Sequence, residues 1–217
     1  MKTDKTIKLI TRHMDRVQEL TEALPTWVAV PEIDEIVIVN WGVTDDLTPL
    51  ATDSRITIIN VPDQEYFDPG AAWNVGCRYA DDADFLALLD CDIKIFQSAI
   101  NKVDVISSDT FYRPHITNMG TIGGSSIIPT KAFIDANGFK EKFTRYGFED
   151  QNFYNRLLFD VKYKEKKCFM STDMLHIDHL RELCTRHLPP TASAPAEMQI
   201  LDNCTVIKNG VSTVMSI

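Results

Sequence analysis

The sequence predicts an α/β protein in which a mostly parallel central sheet is flanked by helices. Runs of apolar, β-branched residues, such as EIVIVN at 35–40 and RITIINV at 55–61, are typical of strands that are covered on both faces. Segments with apolar residues at helical spacing separate these runs. Strands that alternate with helices indicate a parallel sheet, whose ligands bind beyond the carboxyl ends of its strands.

The first half of the chain carries this alternation. Pro25 is expected to end or bend the first helix, because proline lacks the amide hydrogen that a helix interior needs. Asp90 and Asp92 follow the last strand of this half. The predicted elements are strand 6–11, helix 14–24, strand 35–40, strand 55–61, helix 69–80 and strand 85–89.

The second half is predicted to be richer in loops, because glycine is frequent between residues 118 and 139. A helix is expected over 146–159, where apolar residues recur at four-residue spacing, and Glu149 and Asp150 then lie in its first turn. The composition turns to Thr, Ala, Ser and Pro near residue 189. Residues 189–217 are therefore predicted to form a tail that folds back or reaches a partner.

The composition argues against several classes of protein. The formal net charge of −9 does not suit a nucleic-acid or anionic-membrane surface, which needs an excess of basic residues. The five cysteines are scattered and form no CxxC pair, so a reducing compartment is expected rather than a disulfide framework. The charged N-terminus is not expected to be a signal peptide. No apolar run reaches the ~18 residues of a membrane span, and a cytoplasmic protein is predicted.

Asp90 and Asp92 are the first candidate site. Two carboxylates this close repel each other unless a cation lies between them. In an extended strand both would project to the same side, while Cys91 points away. Mg²⁺ and Mn²⁺ suit such oxygen ligands and are commonly bound by one or two carboxylates and a substrate's phosphates. The pair therefore predicts a cation that holds a diphosphate, and the alternative is a solvated strand end with two turn-forming aspartates.

Three segments resemble glycosyltransferases with the GT-A fold, of the family 2-like kind. FDPGAAWNVGCRYADDADFLALLDCDIKI at 67–95 resembles the helix and strand that lead into their metal-binding DxD motif. EIVIVNWGVTD at 35–45 resembles their second strand and its turn. GTIGGSSIIPTKAFIDANGFKEKFTRYGFEDQNFYNRL at 120–157 resembles the carboxyl-terminal region of the galactosyltransferase and N-acetylgalactosaminyltransferase group. The resemblance spans about residues 6–182.

The resemblance implies a metal-dependent enzyme that moves a sugar from a nucleotide sugar, expected to be a UDP-sugar, to a hydroxyl acceptor with inversion. Such a reaction needs a carboxylate that takes the proton from the acceptor hydroxyl. By its place in the motif Asp150 is the expected base, and Glu149 is expected to contact hydroxyls of the donor or the acceptor. The alternative is that both are acids favoured at a helix N-terminus by the helix dipole.

The expected ion is Mn²⁺ or Mg²⁺, and the resemblance implies a histidine ligand late in the domain beside Asp90 and Asp92. His176 is favoured, with His179 close behind. In an extended segment His176 shares a face with Asp178, whereas in a helix it lies beside His179, and the sequence does not choose. The alternative is that these histidines lie on the surface or are bonded within the core.

The remaining predicted contacts concern the two substrates. Glycines allow a close backbone approach to a sugar, and aromatic rings can stack on sugar faces, although a turn and a core position are the alternatives. Asp90 and Asp92 are also expected to face the nucleotide through the ion. The further nucleotide contacts are Arg12, Asn40 and Asn74. The sugar or acceptor contacts are Gly123, Gly124, Tyr146 and Phe148.

The resemblance implies a single GT-A domain at 1–188, followed by the tail at 189–217. Within the domain, about 1–100 is expected to bind the nucleotide and about 101–188 the acceptor. The expected partners are a nucleotide sugar and a glycan, lipid-linked or protein acceptor.

Three other functions are alternatives. A non-catalytic domain that retains the fold and binds a nucleotide or a sugar is the main alternative. A phosphatase-like hydrolase would use a nucleophilic aspartate of the DxD motif, but such enzymes usually carry that motif on an early strand. A nucleotidyltransferase can be built on a similar sheet, but it does not account for the Glu149–Asp150 pair.

Overall fold

The structure is a computed structural model that describes residues 4–104, 107–115, 122–141, 148–178 and 201–217. In these ranges, strands β1 to β11 are Ile7–His13, Ile33–Trp41, Ile56–Val61, Phe85–Leu88, Ile93–Ile95, Thr110–Pro114, Ser126–Pro129, Lys164–Phe169, Met174–His176, Cys204–Lys208 and Val211–Met215. Helices α1 to α5 are Val17–Val28, Pro69–Tyr79, Gln97–Ile100, Thr130–Asp135 and Phe148–Phe159, and a 3-10 turn covers Thr48–Leu50.

Within the described residues, nine strands form one sheet in the order β11-β10-β3-β2-β1-β4-β7-β6-β8. The neighbours β3, β2, β1 and β4 are parallel and form its centre. β6 and β8 also pair in parallel, whereas β7 and β10 pair antiparallel with their neighbours. A separate antiparallel ribbon is formed by β5 and β9. The predicted fold class, α/β with a parallel central sheet flanked by helices, is confirmed.

The sheet is apolar on both faces because helices cover both. On β1, Leu9 belongs to the core layer that contains α1, and Ile10 belongs to the layer that contains α2 and α5. Every residue of β2 is buried except Asp34, which is half-buried. This burial explains why the strands are continuous apolar runs rather than alternating ones.

The first helix does not end where the sequence predicted. α1 begins at Val17 and continues through Pro25 to Val28, and the amide of Ala29 donates to the carbonyl of Pro25 at 3.1 Å. The extra turn buries Trp27, whose Nε1 donates to the carbonyl of Ile93 at 2.7 Å. The contacts of this large side chain offset the backbone hydrogen bond that a proline cannot donate.

The described part of the predicted tail, residues 201–217, folds back onto the sheet. β10 pairs antiparallel with β3, and β11 pairs with β10 at the edge. Leu201 and Ile217 exchange backbone hydrogen bonds of 2.8 and 3.0 Å, which closes the end of this hairpin. Among the described residues, no helix combines the length and apolar character needed to cross a membrane.

Candidate active site

A buried arginine joins three segments at the carboxyl end of the central strands. Arg12, near the end of β1, donates from Nη2 to Asp90 Oδ1 at 3.0 Å and from Nη1 to Glu149 Oε1 at 3.1 Å. Asp90 follows β4, the neighbour of β1, and Glu149 lies in the first turn of α5. The structure therefore brings the two acidic motifs singled out in the sequence to one place.

Arg12 is held on every side by the protein. Its Nη1 also donates to the carbonyl of Pro69 at 3.0 Å, and its guanidinium lies 4.5 Å from the ring centre of Trp73. The side chain of Arg12 is only 7% exposed. If Arg12 contacts the nucleotide as predicted, it does so with a guanidinium that already binds two carboxylates. Trp73 is a core residue that packs against this guanidinium.

The Asp90–Asp92 pair lies in a turn and not in a strand. β4 ends at Leu88, and the amide of Ile93 donates to the carbonyl of Asp90 at 3.0 Å. The extended geometry from which the sequence prediction placed both side chains on one side is therefore absent. Instead, each carboxylate has its own guanidinium, since Asp92 Oδ2 accepts from Arg16 Nη1 at 2.7 Å.

The small ribbon of β5 and β9 places His176 beside Asp92. Ile93 on β5 pairs with His176 on β9, and the amide of Ile177 donates to the carbonyl of Asp92 at 2.8 Å. As a result, His176 Nε2 lies 3.7 Å from Asp92 Oδ2, and its Nδ1 lies 3.7 Å from Asp178 Oδ1. His179, the other histidine considered, lies outside the described residues.

These side chains fit a divalent cation that takes few ligands from the protein. Among the described residues, no group of three or more His, Cys, Asp or Glu is arranged to hold a metal ion. Asp92 and His176 nevertheless present a carboxylate oxygen and an imidazole nitrogen to the same space, a donor set that suits Mn²⁺. Such ions usually complete their coordination with waters and substrate phosphates, so two protein ligands are enough.

Gly124 lies between Asp90 and Asp150. A Cβ added at Gly124 would lie 2.9 Å from Asp90 Oδ2 and 3.0 Å from Asp150 Oδ2. The two oxygens are therefore no farther apart than the sum of these distances, and a larger residue would press on both. The loop is fixed from behind, because the carbonyl of Gly123 accepts from Arg113 Nη2 at 2.9 Å and that of Gly124 accepts from the Tyr154 hydroxyl at 2.7 Å.

Glu149 and Asp150 are adjacent but have different surroundings. Glu149 is 2% exposed and is paired with Arg12 through Oε1. Burial raises the pKa of Glu149, and the charge of Arg12 opposes this rise. Within the part of the chain that the structure describes, Asp150 Oδ1 is buried and accepts no hydrogen bond, and neither does Glu149 Oε2.

The pKa of Asp150 is raised well above its ordinary value, first by burial and then by the charge of Glu149. A helix N-terminus favours the charged form of a carboxylate, whereas burial disfavours it. Burial prevails. A carboxylate with an unpaired oxygen and a raised pKa has the properties of a general base.

Asn40 and Asn74, which the sequence predicted as nucleotide contacts, are fully buried in the protein. The side-chain amide of Asn40 donates to the carbonyl of Asp45 at 2.9 Å and to Asn60 Oδ1 at 2.8 Å. Asn74 Nδ2 donates to the carbonyl of Phe139 at 2.9 Å, and its Oδ1 accepts from the amide of Phe139 at 2.7 Å. Both side chains therefore hold loops, and neither is exposed to a nucleotide.

Of the two aromatic residues predicted to contact a sugar, the structure describes one. Phe148 is 53% exposed at the first residue of α5, next to the acidic pair. It therefore contributes little to the burial of Asp150, and its ring is open to solvent. Tyr146 lies outside the described residues.

Sequence reasoning missed Arg16 and Arg113. Arg16 follows Arg12 by four residues just beyond the first strand, a spacing that the segment TRHMDR displays plainly. Arg113 gave no local signal, because its contacts with Gly123 and with the ring of Tyr154, 3.8 Å away, join segments distant in sequence.

Comparisons with known proteins give one match to a family model. The family model described as the N-terminal domain of galactosyltransferase matches residues 103–180, which is less than half of the chain and includes Gly124, Glu149 and Asp150. No curated protein sequence matches the chain.

Solved structures resemble almost the whole chain. The catalytic domain of Drosophila β1,4-galactosyltransferase 7 in complex with xylobiose is 15% identical with a TM-score of 0.59, over 98% of this chain and 92% of that one. A mannosyltransferase from Pyrobaculum calidifontis, in complex with GDP-Man and Mn²⁺, is 12% identical with a TM-score of 0.61, over 76% and 55%. Glucosyl-3-phosphoglycerate synthase from Mycobacterium tuberculosis, with Mn²⁺, UDP and phosphoglyceric acid, is 9% identical with a TM-score of 0.58, over 84% and 74%.

These likenesses show that the chain has the GT-A fold of glycosyltransferases. At such low identity they concern the fold, and a fold can host several functions. The activity therefore has to be argued from the site.

Proposed function

We propose that the protein is a metal-dependent glycosyltransferase that moves a sugar from a nucleotide-sugar donor to a hydroxyl acceptor. The observation that carries this proposal is the position of Asp150. Its Oδ1 is buried and accepts no hydrogen bond from the described residues, and its other oxygen, Oδ2, faces the same glycine as Asp90 Oδ2, beside the turn that ends in Asp92. A base and a cation site are the two groups that such a transfer needs from the protein.

In this proposal each acidic residue has a separate part. Asp150 takes the proton from the acceptor hydroxyl as the hydroxyl oxygen attacks the anomeric carbon. Glu149 is held by Arg12 and remains available to sugar hydroxyls through Oε2. Asp92 and His176 would hold the divalent cation, which supplies positive charge to the departing diphosphate when bound. Arg12 and Arg16 reduce the repulsion that this acidic cluster would otherwise exert on a diphosphate.

A UDP-sugar is the proposed donor, and inversion the proposed stereochemistry. A mutant of the Drosophila galactosyltransferase was solved in complex with manganese, UDP-Gal and xylobiose, and the mycobacterial synthase with UDP. The mannosyltransferase was solved with GDP-Man, so the fold itself accepts more than one base. The preference for UDP here follows the resemblance of the carboxyl-terminal half to galactosyltransferases. A hexose or an N-acetylhexosamine is the proposed sugar, and a glycan, a lipid-linked glycan or a protein the proposed acceptor.

Two further proposals concern the domain and the location of the protein. We propose one catalytic domain over 1–188, to whose sheet the hairpin of β10 and β11 adds two strands, and a cytoplasmic location. The second is supported by the four described cysteines, which form no disulfide with one another.

The experiment that tests the function measures UDP release from a panel of UDP-sugars with Mn²⁺ or Mg²⁺, with GDP-mannose as a second donor class. The expected result is metal-dependent release that increases with a suitable acceptor and is lost in Asp150→Asn. Nucleotide binding by calorimetry without turnover for any donor would favour a non-catalytic binding domain. Unchanged turnover in Asp150→Asn would contradict the role of the base.

A further inference from the structure

Two arginines supply positive charge to the aspartates of the proposed cation site. Arg12 and Arg16 lie at the same end of β1, and each contacts one aspartate of the turn that follows β4. The distances are 3.0 Å from Arg12 Nη2 to Asp90 Oδ1 and 2.7 Å from Arg16 Nη1 to Asp92 Oδ2. Guanidinium–carboxylate contacts of this length are charge-assisted hydrogen bonds. Neither aspartate is therefore a bare negative charge.

The two ion pairs differ in one respect. Arg12 is fixed by the carbonyl of Pro69, by Glu149 and by the face of Trp73, so it cannot leave Asp90 without losing these contacts. The pair of Arg16 involves an oxygen that has a second neighbour. Asp92 Oδ2 is the acceptor of Arg16 and is also the atom that lies 3.7 Å from His176 Nε2.

A cation held by Asp92 and His176 would bind at this same oxygen. A guanidinium and a divalent ion repel each other, and the repulsion is large at the few ångströms that separate ligands of one oxygen. The side chain of Asp92 is only 6% exposed and that of Arg16 only 13%, so water screens the two charges weakly. Binding of the ion therefore requires the guanidinium of Arg16 to move.

We propose that Arg16 competes with the divalent cation for Asp92, and that Arg16 releases the Asp92 carboxylate when a nucleoside diphosphate binds. This inference rests on the proposed function of the site. A diphosphate offers pairs of oxygens that match the planar fork of a guanidinium, so it can accept Arg16 from the carboxylate. Arg16 is in this sense a positioning residue, because it controls when Asp92 is available.

A consequence is that the metal and the nucleotide bind cooperatively. Without nucleotide, the contact between Arg16 and Asp92 must be broken before the ion binds, which weakens metal binding. With nucleotide bound, that contact is already lost. By thermodynamic linkage the metal strengthens nucleotide binding by the same factor.

The test titrates the protein with Mn²⁺, with and without UDP, and follows the free ion by electron paramagnetic resonance. Arg16→Gln is expected to bind Mn²⁺ alone about tenfold more tightly than the wild type, and UDP should then raise the Mn²⁺ affinity less than it does in the wild type. Arg16→Lys keeps the charge, so its affinity for Mn²⁺ alone is expected to resemble that of the wild type. Thermal unfolding of each variant checks that it is folded.

Lys131→Gln is the matched control for net charge. Lys131 is 71% exposed, is paired with Asp135, and lies at the opposite end of β4 from the site. Lys131→Gln removes the same charge as Arg16→Gln but changes no residue that contacts the aspartates. The Mn²⁺ affinity of this variant should therefore equal that of the wild type.

The inference is overturned if Arg16→Gln binds Mn²⁺ alone no more tightly than the wild type, or if Lys131→Gln gains as much affinity. It is also overturned if the wild type binds no Mn²⁺ with or without UDP. Sugar transfer is measured separately in the same preparations. Transfer with an unchanged Mn²⁺ affinity in Arg16→Gln would contradict this inference alone, whereas a tightened affinity without any transfer would support it and contradict the proposed function.

Discussion

Arg12 and Glu149 form a buried ion pair of 3.1 Å across 137 residues of sequence, and this pair ties the end of β1 to the first turn of α5. Because of this ion pair, the two neighbouring acids of the helix have different partners. Glu149 is occupied by Arg12 through Oε1, whereas Asp150 has no charged partner among the hydrogen bonds of the described residues. The ion pair thus distinguishes the two acids, and it supports the proposal that Asp150 rather than Glu149 is the base.

Removal of Arg12 should lower both stability and activity. Truncating one member of a buried charged network leaves the others without compensation, and such changes reduce the free energy of unfolding by about 3–5 kcal/mol. Arg12→Gln leaves Asp90 and Glu149 facing each other. Urea denaturation measures the loss, and sugar transfer is assayed on the fraction that remains folded.

Arg55→Gln is the control for the general effect of losing an arginine. Arg55 donates to the carbonyls of Val28, Val30 and Ile33, and it lies at the opposite end of the sheet, just before β3. It should lose stability but keep its activity per folded molecule. Normal transfer by folded Arg12→Gln would contradict the part assigned to Arg12.

Asp150→Asn should abolish transfer and yet stabilise the fold near neutral pH. Burial, reinforced by the charge of Glu149, raises the pKa of Asp150 in the folded protein well above its ordinary value. At pH values between the ordinary pKa, which applies to the unfolded chain, and the raised pKa, the folded state therefore binds more protons than the unfolded state. In that window the free energy of unfolding of the wild type falls as the pH rises. Asparagine carries no titrating charge, so the variant escapes this fall.

The measurement is urea unfolding of the wild type and Asp150→Asn over a series of pH values. The advantage of the variant should be largest near neutral pH and should vanish below the ordinary aspartate pKa, where the carboxyl is protonated in both states. Asp160→Asn, on an exposed residue just after α5, should show no such trend. A variant that is less stable than the wild type at neutral pH would disprove the prediction.

The sequence predicted the fold because the fold depends on local patterns. The β-branched runs and the helical stripes identify β1 to β4 and α2 within a residue or two, and parallel strands end at one edge. Asp90 and Asp150 were accordingly expected together. The length of α1 was missed because proline chemistry is local, whereas the burial of Trp27 that extends the helix depends on a distant strand.

The details of the site could not be predicted for a related reason. A polar residue such as Asn74 hydrogen-bonds with the same atoms whether its partner is a ligand or the protein, and sequence shows only the atoms. The place of His176 depends on the pairing of β5 with β9, which are far apart in sequence. The ion pair of Arg12 with Glu149 is likewise visible only after the chain has folded.

Asn74→Ala should destabilise the protein without changing donor affinity. The side chain makes buried hydrogen bonds to both backbone groups of Phe139 and to Glu141 Oε1, and their loss leaves these partners unsatisfied. Such groups reduce the free energy of unfolding by about 1–3 kcal/mol each. Urea denaturation gives the change, and UDP binding to the folded variant by calorimetry tests the absence of a nucleotide contact. Asn101→Ala, on an exposed residue, is the control and should change neither the free energy of unfolding nor the affinity for UDP. Weaker UDP binding by Asn74→Ala would restore the contact predicted from the sequence.

Gly124→Ala should reduce transfer more than it reduces stability. The added methyl would lie 2.9 Å from Asp90 Oδ2 and 3.0 Å from Asp150 Oδ2, closer than carbon and oxygen normally approach, so both carboxylates must move. The loop cannot yield instead, because the carbonyl of Gly124 is held by Tyr154. A misplacement of about 1 Å at a reacting group costs about 10²-fold in rate, so the smaller shift expected here should reduce transfer by up to that factor.

Gly210→Ala supplies the opposite case. A methyl at Gly210 meets nothing within 4 Å, but the residue has a φ of +74°, which an alanine adopts only with strain. This variant should lose about 1 kcal/mol of stability and keep full activity. Steady-state rates and urea midpoints of the two variants are compared side by side. If Gly124→Ala transfers sugar at the wild-type rate, the two carboxylates are not the reacting groups, because a methyl between them would be harmless only at a site that no substrate uses.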